Sequence, residues 1–218
     1  MRFLPLLLLL AAASAPAAQF YLYDDGTAEF SSTGSSNHVL AVGFQAQAGK
    51  LSISGMEFYN FWTVDNHAID YYLWRDPTND GNPADAQVVQ TMSGTLSSKG
   101  WQSVVFPALT SFNEGDWFYV GSYFTDPVFS YFVSGIDTNS GSYSGNSWWI
   151  RWATGATADM NSLSGGTIVP VTGGANSPAN LLIRANAADP GPTVPEPSTF
   201  WLAAGGLGLA LARLRRRS

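Results

Sequence analysis

Leu51-Ser52-Ile53-Ser54-Gly55-Met56-Glu57-Phe58-Tyr59 is the stretch whose reading decides the fold class. Its apolar side chains recur every second residue, as a half-buried strand requires, and no helical spacing fits them. The apolar phase slips by one between Ile53 and Met56, and Gly55 sits at the slip. A β-bulge there accounts for both facts, since a bulge inserts one residue into one strand and glycine allows a close backbone approach.

The same period spreads outward along the chain. Leu40, Val42 and Phe44 share one strand face, as do Ile69, Tyr71 and Leu73, then Trp117, Tyr119 and Gly121, then Leu181, Ile183 and Ala185. Turn signals punctuate these runs at Asp25-Gly26, Asp80-Gly81-Asn82-Pro83, Lys99-Gly100, Glu114-Gly115-Asp116 and Ser140-Gly141. Many short strands, no sustained helical pattern and no internal repeat predict an all-β chain built as an antiparallel β-sandwich of jelly-roll type over residues 19–187. A signal helix precedes this domain and a short transmembrane helix follows it.

Composition supports a packed domain and excludes several functions. Of the 218 residues 45% are hydrophobic and 14% aromatic, which is ample for a core, and there is no cysteine, which excludes disulfides, thiolate metal sites and cysteine nucleophiles. Between residues 19 and 187 five basic residues face fourteen acidic ones. Such a surface repels phosphate backbones, so no nucleic-acid partner is expected.

Both ends read as addresses. Residues 1–18 place Arg2 before an apolar run from Phe3 to Ala13 and then small residues ending in Ala15-Pro16-Ala17, the layout of a cleavable signal peptide that engages the Sec translocon and signal peptidase. The run is too short for a retained membrane helix, which needs about 20 apolar residues. A Pro/Gly linker over 188–194 leads into Pro195-Glu196-Pro197, whose prolines resist helix and sheet and keep the segment extended. An uncharged run over 200–212 follows, and then Arg213, Arg215, Arg216 and Arg217.

These three parts in this order, over residues 195–218, resemble the PEP-CTERM sorting signal. The resemblance implies recognition and cleavage at Pro195, Glu196 and Pro197 by an integral-membrane exosortase-like enzyme. The arginines hold the tail on the cytoplasmic side of the inner membrane, which leaves the domain outside the cytoplasm. The apolar run spans only about 20 Å at 1.5 Å per residue, short of a hydrocarbon core of roughly 30 Å. The expectation is therefore a transient anchor followed by release to the cell surface or extracellular matrix, with a permanent tail anchor as the alternative.

Tyr23-Asp24-Asp25-Gly26-Thr27-Ala28-Glu29, Gly115-Asp116-Trp117-Phe118-Tyr119-Val120-Gly121 and Leu181-Leu182-Ile183-Arg184-Ala185 look like landmarks of β-sandwich modules of secreted bacterial proteins. That resemblance implies an accessory or binding role without catalysis.

Chemistry-bearing residues are sparse. His38 and His67 are the only imidazoles, the first entering a strand and the second in an expected loop, and neither lies in a triad or metal motif. Asp76, Thr78 and Asp80, with Gly81 in sixth place, match the opening of a calcium loop, but the twelfth position is Gln87 where a bidentate glutamate belongs. A plain hairpin loop is the expectation and one structural calcium the alternative; no other cofactor is expected. In Trp148-Trp149-Ile150-Arg151-Trp152 one strand face carries Trp148, Ile150 and Trp152 and the other Trp149 and Arg151. One set should be core, and Trp149 with Arg151 is the candidate platform for a sugar ring. The leading expectation is a non-catalytic structural or adhesive surface protein. A module binding extracellular polysaccharide comes next, and a secreted hydrolase third.

Overall fold

The computed structural model describes residues 19–31, 37–61, 67–96, 98–124, 134–139, 144–153, 155–172 and 179–188. The signal segment, Pro195-Glu196-Pro197, the apolar run over 200–212 and the terminal arginines lie outside the described residues.

Strand β4 (Ser52–Asn60) holds the centre of one sheet, between β13 (Ile183–Ala187) and β7 (Gly100–Ser111), with β1 (Gln19–Tyr21) at the edge beyond β13. The expected bulge is present. Against β13, Ile53 pairs with Ala187 and Gly55 with Asn186, so Ser54 is the one extra residue on β4; against β7, Ile53 pairs with Thr110 and Gly55 with Val105, so the four residues Phe106 to Leu109 stand opposite Ser54 alone. Pro107, which has no N–H to give to a ladder, falls inside that irregularity. A Cβ on Gly55 would lie 2.1 Å from the Val104 carbonyl oxygen, so only glycine lets the two backbones approach.

The second sheet runs β11 (Thr167–Pro170), β10 (Ser147–Arg151), β3 (His38–Gln45), β8 (Trp117–Phe124), β5 (His67–Arg75), β6 (Gln87–Leu96). All named pairs in both sheets are antiparallel. His67 and Ala68, expected in a loop, open β5, where they pair with Leu96 and Thr95. A small third sheet joins β12 (Asn180–Leu181), β9 (Gly135–Asp137) and β2 (Phe30–Ser31). Among the described residues the only helical turns are short 3-10 pieces at Pro83–Asp85 and Leu163–Gly165, and no helix is long and apolar enough to cross a membrane.

The main core lies between the two large sheets. Ile53, Met56, Phe58, Ile183 and Ala185 from the first face Leu40, Val42, Phe44, Ile69, Tyr71, Leu73, Phe118 and Val120 from the second. Each large apolar side chain buried there contributes roughly 1.5–3 kcal/mol before conformational entropy is counted.

Strand β8 departs from its simple reading. Phe118 and Val120 point into the main core, so the face carrying Tyr119 is the outer one. That face is also covered: the chain after β10 folds back over it, and Trp152 and Leu163 pack with Trp74, Tyr119 and Ile150. Trp74 Nε1 fixes this flap by donating to the Met160 carbonyl at 2.8 Å. Burial on both faces explains why 117–121 reads as a near-continuous apolar run.

Candidate functional site

The two end landmarks of the domain meet in space. Asp24, whose side chain is fully buried, accepts from Arg184 Nε at 3.1 Å and also from Arg184 Nη2, while its Oδ1 takes the Gly26 N–H at 2.9 Å. Arg184 lies 3.9 Å from the Trp101 ring centroid and 3.7 Å from a Glu57 oxygen. Asp24 therefore closes the turn after β1 and ties it to β13, a structural task.

The loop read as a calcium candidate closes on its own donors. Asp76 is 4% exposed. Its Oδ1 accepts from Thr78 N at 3.1 Å, Thr78 Oγ1 at 3.1 Å and Asn79 N at 2.8 Å, and its Oδ2 accepts from Gly81 N at 2.8 Å and the Tyr119 hydroxyl at 3.3 Å. Burial, and then the Asp76 carboxylate beside it, push the Tyr119 hydroxyl well above its ordinary pKa. Asp85, which the sequence reading did not include, brings an oxygen within 4.8 Å of oxygens from Asp76 and Asp80. A second acidic group gathers Asp25, Glu29 and Asp137 at the same spacing. Its oxygens too serve the local backbone: Asp137 accepts from Asp25 N and Asn139 N, Glu29 from Thr138 N, and Asp25 from Thr27 N and Oγ1. The Thr27 hydroxyl, then its amide, holds the Asp25 carboxyl below the ordinary range.

The histidines lie on different strands, β3 and β5, with β8 between them. His38 is 3% exposed, stacked on Phe124 at 5.4 Å and edge-on to Trp149 at 6.3 Å. His67 stands at the start of β5.

Trp148, Ile150 and Trp152 share a face, as expected, and it is the outer one under the flap. Trp149, the candidate sugar platform, is half-buried and packs against the main core, so both faces of β10 carry packed tryptophans. Arg151 lies exposed with its guanidinium 4.4 Å from the Trp149 ring centroid. Trp149 also borders a small recess of about 200 Å³ with Leu40 and Val169 to Thr172.

A larger groove, about 600 Å³, opens beside β1. Tyr23 and Trp117 are among its rings, with Phe20, Tyr21 and Phe44, while Leu22 supplies an apolar rim and Gln45, Gln47 and Asn146 its amides. The sequence reading missed it, because its walls come from four separate segments. A signal existed in Tyr23 and Trp117, which both sit in quoted landmarks.

Residues 193–217 carry the PEP-CTERM protein-sorting motif. The PEP-CTERM tail marks an exported, surface-sorted protein and implies processing by an exosortase-like enzyme. No curated protein matches the chain. Among solved structures the chain is similar to the clostridial cysteine protease Cwp84 after propeptide cleavage, with a TM-score of 0.53 and 16% identity over 78% of this chain and 39% of that one. A structure of the cysteine protease and lectin-like domains of Cwp84, a surface layer associated protein of Clostridium difficile, matches with a TM-score of 0.45 and 18% identity over 70% of this chain and 32% of that one. The chain spans about two fifths or less of these proteins, and the first likeness is one of fold.

Proposed function

We propose that this protein is a non-catalytic structural or adhesive β-sandwich, exported through Sec and cut by signal peptidase. It is then held briefly in the inner membrane by its tail and released by an exosortase-like enzyme to the cell surface or the exopolysaccharide matrix. The observation that carries this reading is the PEP-CTERM motif joined to a sandwich whose buried carboxylates Asp24 and Asp76 are bonded within the fold.

Supporting the jelly-roll form is a nested pairing of strands: β1 with β13, β3 with β8, β4 with β7 and β5 with β6. Outermost pairs with outermost and innermost with innermost, as when one long hairpin ribbon wraps around a core. Supporting a non-catalytic role, the clustered carboxylates spend their oxygens on loop N–H groups. The same economy favours a metal-free loop at Asp76, since a carboxylate has about four lone-pair sites and this one already meets five donor contacts.

Replacing Pro195-Glu196-Pro197 by three alanines in the producing organism tests the sorting step. The altered protein should accumulate, full length, in the inner-membrane fraction. Equal release of parent and variant would contradict the reading.

A further inference from the structure

We infer that the groove beside β1 is a binding site for an uncharged glycan. A sugar ring presents apolar C–H faces for an aromatic platform and hydroxyls at its edge for amides, and the groove offers that combination. Its volume of about 600 Å³ admits a short stretch of polysaccharide.

Two of its rings, Tyr23 and Trp117, are held in place before any ligand arrives. Tyr23 is stacked on Phe44 at 4.9 Å with the planes 18° apart, and its hydroxyl accepts from Asn146 Nδ2 at 3.3 Å. The Trp117 backbone N–H donates to Asn79 Oδ1 at 2.6 Å, and its indole rests against Gly81, where an added Cβ would lie 3.2 Å from Cε2. Rings fixed from behind lose little freedom on binding. The polar groups around them are not used up. Gln45 is exposed and spends one N–H on the Gly115 carbonyl at 3.2 Å, and Gln47 is exposed with no side-chain hydrogen bond among the described residues.

Charge selects the class of glycan. The lining itself carries no acid and one cation, Lys50, but the surrounding domain, with five bases to fourteen acids, repels a polyanionic polysaccharide at longer range. A peptide adding to the β1 edge is disfavoured too, because Lys50 Nζ donates to the Phe20 carbonyl at 3.0 Å and so occupies an acceptor on that edge strand. The inference rests on the surface-protein reading only for the ligand's presence outside the cell; binding in solution succeeds or fails independently of tail processing.

Affinity electrophoresis of the full chain, in a detergent without a sugar head group, tests it with laminarin, dextran and β-mannan as uncharged probes and alginate as a polyanion. At least one uncharged probe should retard the protein. Trp117→Ala should weaken that retardation about tenfold, and Gln45→Ala, at an exposed position that spares the fold, about threefold. Arg151→Ala, beside the Trp149 platform, should leave it unchanged. No retardation by any uncharged probe, retardation by alginate alone, or full retardation of a folded Trp117→Ala protein would overturn the inference. So would loss through Arg151→Ala without loss through Trp117→Ala.

Discussion

Two neighbours of one arginine illustrate how burial sets the worth of a charge. Asp24 is fully enclosed and bonded to Arg184, whereas Glu57 is 22% exposed and 3.7 Å from the same guanidinium. Arg184→Ala strands a buried carboxylate and should lose about 3–5 kcal/mol in urea unfolding, while Glu57→Gln should lose about 1 kcal/mol or less. Equal losses would show that Asp24 is solvated. Tyrosines supply a pH test. Burial raises the Tyr71 hydroxyl from 10.0 to about 12. The unfolded chain therefore ionises first, so this contribution to stability is level below pH 10 and is lost as pH rises from 10 toward 12. Tyr71→Phe should flatten that decline, measured as the urea midpoint against pH. None of these partners is visible in sequence, because Asp24 and Arg184 lie at opposite ends of the domain and only the fold joins them.

Strand β4 was legible almost residue by residue, since alternation and its slip at Gly55 are local properties of the chain. Gly55→Ala should cost stability at the upper end of about 1–3 kcal/mol, and Gly49→Ala about 1 kcal/mol, from its left-handed φ of 81° alone, because a Cβ there meets nothing within 4 Å; thermal melts of the two compare them. Strand β8 was legible as a strand and not as to its faces, for the flap over Tyr119 comes from residues far along the chain, and both of its faces are apolar. The loop from Asp76 to Asp85 was placed correctly as a turn, while the convergence of Asp85 on Asp76 and Asp80 depends on the 3-10 turn at Pro83–Asp85. Calcium at about 5 mM, above the roughly 0.1–1 mM range of extracellular sites, should leave the melting temperature where it is in metal-free buffer. A rise of several degrees, abolished by Asp80→Ala, would instead establish a structural ion.

For the whole molecule, the sandwich and the tail answer different questions. The strand order builds a durable domain with an aromatic groove at one edge, and the motif over 193–217 says where that domain is delivered. The tail was fully legible because its recognition parts are consecutive in sequence, whereas the groove draws on segments near residues 22, 46, 117 and 146 and exists only after folding. The central claim, export followed by removal of the tail, is most directly tested by intact mass spectrometry of the protein recovered from the cell surface and medium. The account predicts a C-terminus at or before Pro197, without Arg213 to Arg217; a surface-recovered protein still ending beyond Arg217 would contradict it.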